Sequence, residues 1–476
     1  MVALYGVVGA RAQDVALTHA RVYASPGAAA VDDATVVVRE GRIVAIGRGL
    51  PVPKGMQVLH CSGMSVTAGL WNSHVHILPV KFLHADTKTG AELSTAFQEM
   101  LTGWGFTSVF DVASVLANTE NLRTRIAAGE ILGPRILTTG EPFFPQNGVP
   151  IYVKGYLMEN HITLPDDATT ADAVARVKRQ VDEGADAIKI FAGSIQEHSV
   201  LMMPLQQAQA IVKEAHSLHR QVFEHPTNLA GVQIALESGV DVLAHVTSQL
   251  GEDWTPALVA RMRAQKMAVI PTLTLFDVEA QKGGYSPAEA KKFADIAAGR
   301  LRVFNQAGGE ILFGTDVGYI YHFDTAEEYT LMQRAGMRFA QILASLTTNP
   351  AGRFGYASHS GRVAKGMDGD LTVFLGDPAS DITAFSRVRY TVRGGKVIFA
   401  AKAKQAGAQV LGSCSRTRVV ERVVMRTAAA RSITPLARAM GPRISYSCHP
   451  TTPRNSRDRV SSNYALGRRN GRKRTW

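Results

Sequence analysis

The distribution of apolar residues divides the chain into β-rich ends and an alternating centre. Runs of β-branched residues at 15–64, such as ATVVVREGRIVAIG, are broken by glycine and are typical of short strands joined by tight turns. The same pattern returns at 359–400, where YTVRGGKVIFA contains a Gly394-Gly395 turn. Since these two segments lie on either side of a long centre, we predict one small β-sandwich built from both.

The centre, residues 65–358, alternates short apolar strands with helical patterns. In 171–184, for example, Val174, Val177 and Val181 recur at the i, i+3, i+7 spacing of one helix face. The strand candidates are SVTAGLWNSHVHI, TSVFDVA, PRILTTG, AIKIFA, QVFEHPT, DVLAHVT, MAVIPTLTL and EILFGTDVG. Strands of this number and spacing predict a (β/α)8 TIM barrel, an α/β fold. A doubly wound open sheet is the alternative, but no GxGxxG follows the first strand, which disfavours it.

Composition excludes several classes of protein. The chain has 476 residues, of which 46% are hydrophobic and 7% aromatic, as in folded globular proteins and unlike disordered chains. No run approaches the roughly 18–20 apolar residues of a membrane span, so none is expected. The 3 cysteines form no CxxC pattern, which excludes a disulfide scaffold and a zinc finger.

The positive charge is confined to the last residues. The chain carries a net +12, and residues 411–476 hold 14 arginines and one lysine against two acidic residues. This segment is also rich in Ser, Thr, Pro and Asn, which predicts low order. Clustered arginine can neutralise nucleic-acid phosphates. However, aromatic residues are almost absent and the composition changes abruptly, so we favour a solvated tail or an aberrant C-terminus over a nucleic-acid-binding arm.

The N-terminal segment, residues 1–14, is short and apolar and contains Ala10-Arg11-Ala12. This pattern resembles the end of a signal peptide with its A-x-A cleavage site, but the positively charged n-region is missing. A signal peptide that begins upstream of Met1 would predict a periplasmic or secreted protein. A short hydrophobic strand or frayed end would predict a cytoplasmic one, and both interpretations remain open.

Histidine, lysine and aspartate recur near the ends of the predicted barrel strands. His74 and His76 lie two residues apart, so their side chains point to the same face of the first strand. Two imidazoles directed into a barrel mouth are suitable neighbouring metal ligands. The H-x-H pair alone is a weak signal, but later strands add Lys189, His225, His245 and Asp316. Because barrel strands converge at their carboxyl ends, we predict a metal site there.

Lys189 lies inside an apolar strand, between Ile188 and Ile190. If the isoleucines face the outer helices, the lysine points inward, where an isolated ammonium is costly and tends to lose its proton. A neutral amine can react with CO2 to form a carbamate, an anionic ligand able to bridge two metal ions. The alternatives are a lysine that reaches the barrel mouth or pairs with a carboxylate.

The order of these residues resembles the amidohydrolase superfamily. It is most similar to the imidazolonepropionase-like branch that includes binuclear zinc dipeptidases acting on prolyl substrates. The supporting segments are TAGLWNSHVHI, ALESGVDVLAHV, ILFGTDVG and GRVAKGMDGDLTVF. The resemblance implies two divalent metal ions, with zinc expected. It places one ion on His74, His76 and Asp316 and the other on His225 and His245, with carbamylated Lys189 and a hydroxide as bridges. It also implies that Asp316 acts as the catalytic general base and then as the acid.

The resemblance further implies a hydrolase of an amide or peptide C–N bond, and a dipeptide or an N-acyl amino acid is the leading substrate. A cyclic amide hydrolase of the imidazolonepropionase type is an alternative. Imidazolonepropionases, however, look mononuclear and lack the bridging lysine. A barrel that binds metal without turnover is the other alternative. Long loops after the third and eighth strands offer Tyr152, Tyr319 and His322 as substrate contacts. The sequence leaves open whether the chain forms a homo-oligomer.

Two positions depart from the family pattern. Asn72 stands where many relatives have an acidic residue two positions before the first histidine, and Pro226 directly follows His225. We expect Asn72 to change the contacts behind the ligands and Pro226 to shift a strand end. Neither departure removes a ligand.

Overall fold

The computed structural model describes residues 14–165, 167–247, 249 and 252–402. The apolar segment predicted at 1–14, apart from Asp14, and the basic tail predicted at 411–476 lie outside the described residues. Among the residues that are described, no helix combines the length and the apolar character needed to cross a membrane.

The strands of the described residues are numbered in chain order. They are β1 Val15–Val22, β2 Val31–Arg39, β3 Arg42–Arg48, β4 Gln57–His60, β5 Met64–Ala68, β6 Leu70–Val75, β7 Phe106–Asp111, β8 Arg135–Thr138, β9 Ala187–Phe191, β10 Gly193–Ile195, β11 Val200–Met202, β12 Gln221–His225, β13 Val242–Ala244, β14 Ala268–Ile270, β15 Leu371–Leu375, β16 Val388–Arg393 and β17 Lys396–Ala400.

The helices of the same residues are numbered likewise. They are α1 Gly90–Met100, α2 Leu116–Ala127, α3 Ile151–Glu159, α4 Thr170–Asp182, α5 Leu205–Ser217, α6 Leu229–Ser238, α7 Pro256–Ala264, α8 Leu273–Lys282, α9 Pro287–Gln306, α10 Ala326–Arg334, α11 Phe339–Leu346 and α12 Thr348–Arg353. Short 3-10 helices occupy Ala85–Thr87, Thr102–Trp104 and Ile382–Ser386.

Both ends of the described chain form one folded sheet, in the order β17-β16-β15-β5-β1-β2-β3, with β4 also pairing with β1. β1 pairs with β4 through its first half and with β5 through its second half, so the sheet turns at this strand. Its inner faces enclose a buried apolar cluster that includes Val36, Val66 and Val373. The predicted β-sandwich built from the two β-rich segments is confirmed.

Gly69 separates the sandwich from the barrel. The predicted first barrel strand, SVTAGLWNSHVHI, is in fact two strands, because β5 pairs with β15 in the sandwich and β6 pairs with β7 in the barrel. A Cβ atom on residue 69 would overlap the side chain of Thr107, so glycine is required where the chain passes between the two sheets. The sheets of the sandwich and of the barrel therefore meet at Gly69, four residues after the predicted boundary at residue 65.

Parallel strands at the centre close into a barrel. β6, β7 and β8 form one run and β9, β12, β13 and β14 another, and Phe143 and Ile190 bridge the two runs. The eighth barrel segment, residues 311–317, pairs with β14 at Val269 and with β6 at Val75. The (β/α)8 prediction is confirmed. The seventh predicted strand, MAVIPTLTL, is shorter than expected, because Thr272 adopts a left-handed conformation (φ 45°) and α8 begins at the next residue.

Apolar side chains fill the barrel below the carboxyl ends of its strands. Trp71, Phe110, Phe223 and Leu312 belong to this buried inner cluster, and a larger one lies between the strands and the helices. Burial of one such large apolar side chain contributes about 1.5–3 kcal/mol to stability. The packed interior holds the strand ends, and whatever side chains they carry, in fixed positions.

Candidate active site

The six residues predicted to hold metal ions line one cavity at the carboxyl ends of the barrel strands. The cavity has a volume of about 240 Å³. The six residues are His74 in β6, His76 just after it, Lys189 in β9, His225 at the end of β12, His245 after β13 and Asp316 in the eighth barrel segment. Residues that are far apart in the chain thus meet because parallel barrel strands converge.

His74, His76 and Asp316 form the tightest group. Asp316 Oδ1 lies 3.1 Å from His74 Nε2 and 2.8 Å from His76 Nε2, and the two Nε2 atoms are 3.3 Å apart. All three residues are buried. Their ligand atoms lie within 4.8 Å of one another, close enough to hold one ion.

The other three residues adjoin this group. The ring of His245 lies with its centroid 4.5 Å from that of His74 and 4.7 Å from that of His225. Lys189 is 1% exposed, and its Nζ atom has no hydrogen-bond partner among the described residues. The Lys189 side chain therefore neither reaches solvent nor pairs with a carboxylate there, unlike either alternative considered for it.

Burial shifts the pKa values of the side chains that line the cavity. Burial lowers the pKa of His74 to about 4 and lowers the pKa values of His225 and His245 well below the usual range. It also lowers the pKa of Lys189 to about 7, against the opposing attraction of Asp316. Burial alone would raise the pKa of Asp316, but His74 and His76 hold it well below its usual range. Near neutral pH the imidazoles of His74, His225 and His245 are therefore uncharged and the carboxylate of Asp316 is ionised. These are the protonation states in which such groups bind metal ions.

Backbone and hydroxyl oxygens fix the orientation of two histidines. His76 Nδ1 lies 3.2 Å from the carbonyl oxygen of Ala113, and His245 Nδ1 lies 2.6 Å from Thr272 Oγ1. Since a carbonyl only accepts, the Nδ1 atom of His76 carries a proton, and Nε2 is the ring nitrogen that faces Asp316 and the rest of the predicted metal site. The sequence analysis did not identify Ala113 or Thr272, because neither contact follows a periodic pattern.

Both the nitrogen and the oxygen of the Asn72 side-chain amide form hydrogen bonds. Its Nδ2 donates to Thr315 Oγ1 at 2.7 Å, and its Oδ1 accepts from the backbone N–H of His74 at 3.2 Å. It therefore ties β6 to the eighth barrel segment behind His74. The expected change of contacts at this position thus takes the form of a bridge in which residue 72 donates to Thr315, whereas an ionised acid could only accept from that hydroxyl.

Asp111 is a structural carboxylate that the sequence analysis did not single out. It is fully buried at the end of β7 and accepts from Ile77 N at 2.9 Å, Thr119 Oγ1 at 2.8 Å and the Ser114 hydroxyl. These bonds anchor the chain just after His76. The sequence could have indicated this role, because an acidic residue at the end of an otherwise apolar strand, TSVFDVA, is costly to bury without hydrogen-bond partners.

Two of the three residues predicted to contact substrate line the cavity. Tyr152 and Tyr319 both line it, and their ring centroids are 5.4 Å apart. His322 is exposed and is not among the cavity-lining residues, so the structure does not support its predicted contact. The preceding residue, Tyr321, lines the cavity instead. Tyr321 is itself largely exposed, so it lines the outer part of the cavity.

The donor set fits divalent metal ions. It offers four imidazoles and a carboxylate, which are the nitrogen and oxygen ligands that zinc and similar ions take in proteins. The unpartnered Lys189 amine lies in the same cavity, where an added carboxylate group would supply a further oxygen ligand.

A closed (β/α)8 barrel with such a group at its strand ends has the architecture of a metal-dependent hydrolase. The chain belongs to the amidohydrolase family, whose model matches residues 65–398. It is therefore a hydrolase that acts on carbon–nitrogen bonds, as the resemblance implied. No curated protein sequence matched the chain.

Solved structures with the same fold have sequences of low identity. A Xaa-Pro dipeptidase with bound methionine in its active site is 20% identical, with a TM-score of 0.68 over 82% of this chain and 100% of that one. A prolidase complexed with N-methylphosphonate-L-proline is 22% identical, with a TM-score of 0.66 over 82% and 100%. Molinate hydrolase is 19% identical, with a TM-score of 0.65 over 87% and 100%. At these identities the likeness shows a shared fold.

Proposed function

We propose that the chain hydrolyses an amide or peptide bond with two divalent metal ions, most suitably zinc. His74, His76 and Asp316 would hold one ion, and His225 and His245 the other, with Lys189 between them as a carbamate. The observation that carries the proposal is the convergence of all six side chains on one cavity, with three ligand atoms within 4.8 Å of one another.

Divalent ions bound here would supply Lewis acidity and would lower the pKa of water toward neutrality. The protein's own contribution to proton transfer would come from Asp316. Its Oδ1 atom faces His74 and His76, so Oδ2 is the atom that would accept the proton of the attacking water and pass it to the leaving nitrogen. The lowered pKa of Asp316 keeps it ionised and ready to accept that proton near neutral pH.

The environment of Lys189 favours carbamate formation. In that reaction the neutral Nζ atom forms a bond to the carbon of CO2 and releases one proton, which leaves an anionic carboxylate on the side chain. A pKa of about 7 means that much of the amine is unprotonated near neutral pH, as the reaction requires. No ion pair ties Nζ to a carboxylate among the described residues.

Two other functions fit the site less well. A ring-opening hydrolase of the imidazolonepropionase type would need one metal ion and would leave His225, His245 and Lys189 without a shared role. A non-catalytic metal-binding barrel would not need an apolar cavity beside the ligands. A dipeptide or an N-acyl amino acid remains the substrate class expected from the sequence.

Metal analysis of the full-length protein, prepared with zinc and bicarbonate, tests the proposal together with a screen for amine release from amides. We expect about two zinc ions per chain and turnover of at least one amide class. About one ion per chain would favour the ring-opening alternative. Two ions without turnover of dipeptides, N-acyl amino acids or neutral amides would favour the non-catalytic barrel.

A further inference from the structure

The cavity wall beyond the six ligand residues carries no charge. Apart from those six, the described residues that line the cavity are apolar or aromatic, with one glycine and one serine, Ser114. Proline or dipeptide substrates bring a free carboxylate next to the scissile bond. In this cavity such a carboxylate would meet aliphatic and aromatic carbon.

Two walls of the cavity would flank a bound amide. One wall comes from α3 and the residues after it and includes Val153, Leu157 and Ile162. The other includes Leu275 and Tyr319. An apolar group fills such walls favourably because its transfer from water is favourable, at about 25 cal/mol per Å².

The basic residues near these walls are exposed or already have partners, and none of them lines the cavity. Lys154, which follows Val153 on α3, is exposed and donates to Gln196 at 3.2 Å. Lys282 lies 4.7 Å from the ring centroid of Tyr319, but it is exposed and pairs with Glu279 at 2.7 Å. Arg176 is buried in an ion pair with Asp167. The positions missing from the description within the barrel, 166, 248, 250 and 251, are Asp, Ser, Leu and Gly, so they add no cation there.

Tyrosine hydroxyls do not replace a cation. The hydroxyl of Tyr156 already donates to the Leu78 carbonyl. Burial raises the pKa of Tyr152, so its hydroxyl stays neutral and supplies at most one hydrogen bond. A carboxylate held against this wall, away from the six ligand residues, would lose its hydration without gaining an ion pair from any wall residue, which is unfavourable.

The approach to the cavity is apolar as well. Three of the exposed large hydrophobic residues belong to the segments that line it: Ile151 and Met158 on α3, and Tyr321 after the eighth barrel segment. Their exposed fractions are 46%, 78% and 64%. Ile151 and Met158 lie seven residues apart on α3, the spacing of one helix face, so apolar surface continues along the helix that supplies Val153 and Leu157 to the cavity.

From these observations we infer that the substrate is an uncharged amide with apolar groups on both sides of the scissile bond. This inference rests on the proposed amide hydrolysis and narrows its substrate class. It replaces the dipeptide and the N-acyl amino acid with compounds of similar size that lack the carboxylate.

A matched pair of compounds tests the inference. N-benzoyl-L-leucine and N-(3-methylbutyl)benzamide differ only in the carboxylate of the leaving group. We expect kcat/KM of the zinc-loaded, full-length protein to be about tenfold or more higher for the uncharged compound. An equal or higher value for N-benzoyl-L-leucine would overturn the inference.

Calorimetric titration of the same two compounds separates this inference from the proposed function. Tighter binding of the uncharged compound without hydrolysis of either would support the substrate class and count against amide hydrolysis. Equal or tighter binding of the acid, or no binding of either compound, would overturn the substrate class.

A cation placed in the wall should reverse the preference. Val153→Arg puts a guanidinium in the wall, and Val153→Met adds similar length without charge. We expect the acid-to-neutral ratio of kcat/KM to rise about tenfold or more in Val153→Arg and to stay near the wild-type value in Val153→Met. An unchanged ratio in Val153→Arg, or the same rise in both variants, would contradict the inference, whatever the absolute rates.

Discussion

Thr272 Oγ1 accepts a hydrogen bond from His245 Nδ1. The two atoms are 2.6 Å apart, and the same hydroxyl donates its own proton to the Pro271 carbonyl at 2.9 Å. Because the hydroxyl proton is already committed, the imidazole must carry its proton on Nδ1. The lone pair of His245 is then on Nε2, the nitrogen left to bind an ion.

Thr272→Val should therefore weaken the site without changing the shape of the side chain. Loss of an oxygen that orients a metal-binding histidine lowers metal affinity or activity by roughly 10–100-fold. We expect a decrease of this size in kcat/KM and in zinc affinity. Thr272→Ser keeps the oxygen and should stay close to wild type, and equal behaviour of the two variants would argue against the orienting role.

Lys189→Ala should remove zinc and activity together, because it removes the amine that would carry the carbamate. Short-chain carboxylic acids such as propionate should restore part of both, since they can occupy the space of the missing side chain and supply an oxygen ligand. Zinc content and turnover are measured with and without propionate. Wild-type activity in this variant would exclude a bridging carbamate.

Asp316→Asn should separate proton transfer from metal binding. The amide keeps an oxygen ligand but cannot accept the proton from water, so turnover should decrease by roughly 10²–10⁴-fold. Much of the zinc should remain bound, as measured by elemental analysis of the purified variant. A rate near that of wild type would remove Asp316 from the role of general base.

Glu328 should make the free energy of unfolding depend on pH. It is buried and accepts from Leu273 N, Thr274 N and Thr274 Oγ1, each at 2.8 Å, and burial raises its pKa to about 7. The folded state thus holds the proton more tightly than the unfolded state, whose pKa is near 4.5. The favourable effect is complete below about pH 4.5 and is lost as the pH rises through 7, by on the order of 3 kcal/mol.

Urea unfolding at pH 5 and pH 8 measures this effect. Glu328→Gln cannot ionise, so its free energy of unfolding should change less between the two pH values than that of wild type. Glu279→Gln is the matched control, because Glu279 pairs with Lys282 on α8 and is not in contact with the groups that bind Glu328. An identical pH dependence in wild type and Glu328→Gln would show that Glu328 remains ionised in the fold.

Periodicity in the sequence predicted the barrel, the sandwich and the strand ends that carry the six residues of the cavity. These features follow from short-range patterns, since alternation along a strand decides which way His74 and His76 point. The length of the strands was less predictable. The chain passes from one sheet to the other at Gly69, where a Cβ atom would overlap the side chain of Thr107. This steric requirement arises between distant residues and cannot be predicted from a local sequence pattern.

The rest of the site depends on contacts between distant residues and on unusual backbone conformations. His245 and Asp316 both have positive φ angles, 80° and 60°, which are rare for residues with a side chain and are not predicted by composition. The Thr272 and Ala113 contacts arise at the same kind of turn, with φ angles of 45° and 85°. Tertiary packing imposes these conformations, so the sequence alone could not predict them.

The pairing of β5 with β15 also has a consequence for biosynthesis. The N-terminal strands emerge from the ribosome first, yet their partners in β15–β17 are made only after the entire barrel. Until then β5 presents an unpaired edge, which is prone to aggregation. Contacts between such distant parts of a chain form slowly, because a long loop must close first. We therefore expect nascent chains that stop before residue 371 to depend on chaperones, and we expect folding of the sandwich to finish only after β15–β17 have emerged.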